Sequence, residues 1–176
     1  MHIILGIVGV LTFIFVWYSR LKMLGDAAKG GKKVFDAARN LPRKRRFAAK
    51  SGKGGLDVVD DPREAATIVM LEIALARGAL TDRQEAALRA ETMLNFELDE
   101  KDADTLITQA GWLARDAGAS HVVVGRMTDF LCNVPGMGER NLRDLESMIV
   151  NVVAAGGSAT PEQEDLLAIF RQKAAL

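Results

Sequence analysis

Apolar and polar positions divide the chain into three successive regions. Ile3 to Tyr18, IILGIVGVLTFIFVWY, runs for sixteen residues without a charge. Lys29 to Lys53 carries GGKK, PRKRR and KSGKGG and no sustained apolar period. Val34, Phe35 and Ala38 there make at most one short amphipathic turn, because Gly30, Gly31 and Pro42 limit it. From Asp61 onward, apolar residues recur at helical spacing. Asp61-Pro62-Arg63-Glu64 reads as a cap, a proline at the first helical position and a capping-box-like acid. Ile68, Leu71 and Leu75 continue that helix to Gly78.

Thr81 with Gln84 forms a second capping box, opening a helix through roughly Leu94. Asp99 with Asp102 starts a third, whose stripe is Ala103, Leu106, Ile107, Ala110, Leu113, Ala114 and Ala117, ended by Gly118. A fourth covers Val122 to Cys132, with Met127, Phe130 and Leu131 apolar, and Asn133 to Gly138 breaks it. A fifth carries Leu142, Leu145, Ile149, Val152 and Val153 up to Gly156-Gly157. Thr160 caps the last helix, Pro161 begins it, and Leu167, Phe170 and Ala174 are expected to face inward. Strand signals are weak; only Val122-Val123-Val124 imitates one. Short amphipathic helices must bury their stripes against each other, so an all-α bundle of about six helices is predicted over residues 61–176.

One stretch occurs twice. LARGALTDRQEAAL, Leu75 to Leu88, is echoed by AAGGSATPEQEDLL, Ala154 to Leu167. At constant offset Gly78 falls on Gly157, Thr81 on Thr160, Gln84 on Gln163, Glu85 on Glu164 and Leu88 on Leu167. Glycine stops one helix and the Thr-x-x-Gln pair starts the next, so the echo predicts an internally duplicated helical hairpin.

The pattern helix, A-x-G, turn, Thr, two residues, Glu, helix resembles the TerB family of tellurite-resistance-associated proteins and the TerB-like domain of the DjlA membrane co-chaperones. The resemblance covers roughly Pro62 to Leu176, and NFELDEKDADTL, Asn95 to Leu106, is similar to the family's following turn and helix start. It implies an all-helical, internally duplicated fold. It also implies a bacterial cell and, by similarity to DjlA, a layout with a short outside terminus, one membrane helix and a cytoplasmic body. Two departures bear on function. Arg77 and Gly156 stand where the family favours aspartate, so the metal binding associated with such domains is not carried over to this chain. The His-Pro-Asp of a J domain is missing too, since His2 precedes Ile3 and His121 precedes Val122.

The N-terminal run reads as a transmembrane anchor over residues 1–20. As a helix, Met1 to Ser19 would span about 28 Å, close to the hydrocarbon thickness of a bilayer. Trp17 and Tyr18 suit the interface, and Arg20 and Lys22 can reach the headgroups. A cleaved signal peptide fits less well: there is no basic n-region, and Tyr18-Ser19-Arg20 makes a poor cleavage site.

Charge then sharpens the picture. The formal total is zero, yet Arg20 to Lys53 holds twelve Lys and Arg against Asp26 and Asp36, a balance of +10. Leu56 to Leu176 holds eleven basic and twenty-one acidic residues, a balance of −10. The positive-inside bias predicts the N-terminus outside and the body in the cytoplasm. Residues 21–60 form a basic juxtamembrane linker, with Arg43 to Arg46 a polybasic patch facing anionic lipid. Nucleic acid is not the favoured partner, for want of aromatic platforms or a reader motif. A nuclear localisation signal fits the pattern of charges but not a neighbouring anchor.

Candidate chemistry is sparse. Cys132 is the lone cysteine, which rules out an intramolecular disulfide and is expected to be a small buried hydrophobe. His121 is expected at the surface or half-buried. Asp99, Glu100, Asp102 and Asp104 are the densest acids, but no EF-hand loop encloses them, and Glu85 and Glu164 read as early-helix acids favoured by the dipole. Gly52 to Gly55 is a fragment of a phosphate loop lacking its Lys-Ser/Thr. No catalytic, cofactor-binding or metal-ligating residue is assigned, and no enzyme is expected. The expected function is that of an adaptor or accessory subunit at the inner membrane, binding lipid through anchor and linker and a protein through its helices. A divalent-metal or oxyanion-stress protein is the alternative, and the oligomeric state is left open.

Overall fold

A computed structural model describes residues 55–176. The expected anchor, and the linker up to residue 54, lie outside the described residues. Among the described residues, no helix is long and apolar enough to cross a membrane. Within them the chain is all-helical, without a strand. A 3-10 turn, Leu56–Val58, leads into α1 (Pro62–Leu75), α2 (Asp82–Phe96), α3 (Glu100–Ala114), α4 (Ser120–Cys132), α5 (Glu139–Ala155) and α6 (Pro161–Ala174). Val122-Val123-Val124 is helical, part of α4.

The caps follow from local chemistry. Thr81 and Thr160 each receive the N3 amide on the hydroxyl while the N3 glutamine accepts from the Thr amide, so the predicted Thr81 box forms and the predicted Thr160 cap is a box as well. Asp99 accepts from Asp102 N at 2.8 Å at the start of α3. Asp61 caps α1 by accepting from Arg63 N at 2.9 Å. The Arg63 guanidinium folds back on the same carboxylate, with Nε and Nη2 at 3.1 and 2.8 Å. Both partners are buried, and this buried ion pair had no signature in the sequence.

Helix α1 is the axis of the molecule. It packs on α2, α3, α4, α5 and α6 and is buried almost all round, from Ala65 through Leu71 and again at Ile73 and Ala74. A helix surrounded by five others keeps little solvent-facing surface, which is why a one-sided stripe describes it poorly. Leu75, expected to continue that stripe, is 38% exposed. Thr67 stays buried because its hydroxyl donates to Arg63 O at 2.7 Å. Thr92 and Thr128 are satisfied in the same way by Leu88 O and Val124 O. The remaining helices close around α1 with Leu88, Phe96, Leu106, Leu113, Val123, Val124, Leu131, Ile149, Val152 and Phe170. In α6 the inward positions are Leu166, Phe170 and Ala174, with Leu167 only partly buried. Leu56 and Val59 also enter the core, so the segment just before α1 packs with the bundle.

Candidate functional site

The duplicated stretch is the place where distant parts of the chain converge on polar groups. Helices α1 and α5 each end in a glycine turn, with Gly78 at φ +119° and Gly157 at φ +106°. Left-handed backbone of this kind is accessible to glycine at little cost and strained for most side chains. Each turn then leads to a Thr–Gln box. Thr81 N donates to Gln84 Oε1 at 3.2 Å, and Thr160 N to Gln163 Oε1 at 3.1 Å. Both glutamines are almost fully buried, at 0% and 1% exposure, although each sits in the first turn of its helix.

Their burial has a reason beyond capping, because each glutamine reaches the end of the other hairpin's first helix. Gln163 Nε2 donates to Ala74 O, in the last turn of α1, at 3.1 Å. Gln84 lies against the end of α5, so close that a Cβ on Gly156 would stand 2.6 Å from its Cδ. Arg77, from the first turn, donates Nη1 to Gly156 O and Nη2 to Ser158 O in the second. The last carbonyls of a helix lack intrahelical donors and carry the negative end of its dipole, so a guanidinium is well matched to them. Among the described residues, the buried donors Arg77 Nε and Gln84 Nε2 meet no acceptor.

Arg77 and Gly156, the two departures from the TerB-like pattern, therefore meet. One contributes the cation that grips the opposite turn; the other provides the space into which Gln84 fits. Donors, carbonyls and a guanidinium gather there without a nucleophile or a titratable base among those contacts. The arrangement is a clasp between hairpins.

The other sequence-selected residues are dispersed. Glu85 and Glu164 are exposed in the first turns of α2 and α6. The acids at the start of α3 divide their tasks, Asp99 capping the helix and Asp104 pairing with Arg89 Nε at 2.6 Å. Among the described residues, no three His, Cys, Asp or Glu side chains gather in a geometry suited to one metal ion. His121 is exposed at the start of α4. Cys132 is exposed as well, contrary to the buried position expected, at the last position of α4, where its thiol donates to Lys173 O of α6 at 3.7 Å. Its thiol is pushed up by partial burial and by Asp129, with Lys173 opposing, so the reactive thiolate is disfavoured.

One polar seam was not anticipated. Glu91, half-buried between α2 and α5, accepts from Asn151 Nδ2 at 2.7 Å and from Asn95 Nδ2 at 2.9 Å. Burial raises its carboxyl above the ordinary range, and the two amide donors oppose the shift. The apolar spacing of α2 and α5 carries no trace of this contact; the asparagines were its only signal.

No family model, no curated protein and no solved structure matches the chain.

Proposed function

We propose that this chain is a single-pass, membrane-anchored protein of TerB-like type that serves as an adaptor or accessory subunit at the bacterial inner membrane. Its helical body lies in the cytoplasm and presents helix faces to a protein partner. The observation that carries this reading is the clasp. The polar residues of the repeated turn, Arg77, Gln84 and Gln163, are engaged in joining the two hairpins, so the most distinctive element of the sequence builds a platform. Leu94 on α2 and Val150 on α5, helices that pack together, are 53% and 41% exposed and offer apolar contact on that platform. The membrane half of the proposal rests on Ile3 to Tyr18 and on the basic residues that follow. A divalent-metal or oxyanion-stress role remains the alternative, but helix dipoles already account for Glu85 and Glu164, and no observation favours it.

Crosslinking of the intact chain in native bacterial membranes tests the proposal, with a truncated chain beginning at Leu56 as comparison. The intact chain is expected to capture a defined protein that the truncated chain recovers poorly. Failure of the intact chain to retain any stable protein partner would overturn the adaptor role.

A further inference from the structure

We draw no further inference here: the strongest candidate, the open hollow along α3 between its cap Asp99 and Gln109, with Lys101 among its acids, is lined by a single helix, and nothing in the structure shows what covers it.

Discussion

Arg77 shows how one side chain changes the meaning of a motif. In sequence it is only the residue before a helix-stopping glycine; in space it is a cation on the carbonyls of Gly156, the C-cap of α5, and of Ser158 in the turn that follows. Replacing Arg77 with Ala removes these hydrogen bonds, whose acceptors can turn to water, and is expected to lower unfolding stability by about 0.5–1.5 kcal/mol, read from urea midpoints. Arg77→Lys should recover only part of the loss, because one ammonium lacks the planar fork that serves two acceptors. Unchanged midpoints in both variants would remove Arg77 from the clasp.

Glu91 makes the second prediction at this scale. Its folded pKa is raised, so the native state holds its proton more tightly than the unfolded chain does. Native stability from this residue is therefore greatest below the ordinary glutamate range and declines as pH rises through the folded value. Glu91→Gln should gain stability relative to the native chain at neutral pH, and that relative gain should shrink on acidification. Denaturation of both proteins between pH 4 and 7 checks the sign; a relative gain that grows toward acid contradicts it.

Element by element, the sequence was most informative where polar chemistry is local. The Thr81 box, the Thr160 and Asp99 caps and the glycine stops depend on residues at most a turn apart, and each forms as expected. Thr160→Ala should cost about 1 kcal/mol, and Thr81→Ala a similar amount, since the two boxes share one geometry. Thermal or urea unfolding of the pair is the check, and a large inequality between them would mean that the copies are not equivalent. Periodicity was less informative for α1, where burial on all sides erases the stripe. It was also less informative for α2, whose buried face is Gln84, Leu88, Thr92 and Phe96. Half of that face is polar, so a search for apolar spacing sees it only in part. The doubled Thr-x-x-Gln was the available hint that Gln84 does more than cap.

At the scale of the molecule, the all-helical class and the two matching glycine-turn and Thr–Gln corners were legible because they arise from repeating local patterns. The way the hairpins meet was not. Arg77 and Gly156 are separated by 79 residues, and nothing in the spacing of either turn indicates that one will touch the other. The buried Asp61–Arg63 pair and the Glu91 seam were hidden for a related reason: a charged residue is read as solvent-exposed until a tertiary neighbour covers it. The Asp61–Arg63 pair lies buried at the N-terminus of α1, where the carboxylate both caps the helix and holds the guanidinium.

The central claim, that the repeated turns form a clasp closed by Gln84 against Gly156, is tested most directly by a double-mutant cycle. Gly156 has an ordinary φ of −83°, so Gly156→Ala carries no backbone strain and its cost comes from the collision with Gln84. In the native background Gly156→Ala is expected to destabilise by about 1–3 kcal/mol. With Gln84→Ala already in place, most of that cost should vanish, leaving a coupling energy of about 1 kcal/mol or more. Strictly additive costs would mean that Gln84 does not press on Gly156, and would contradict a clasp closed by that contact.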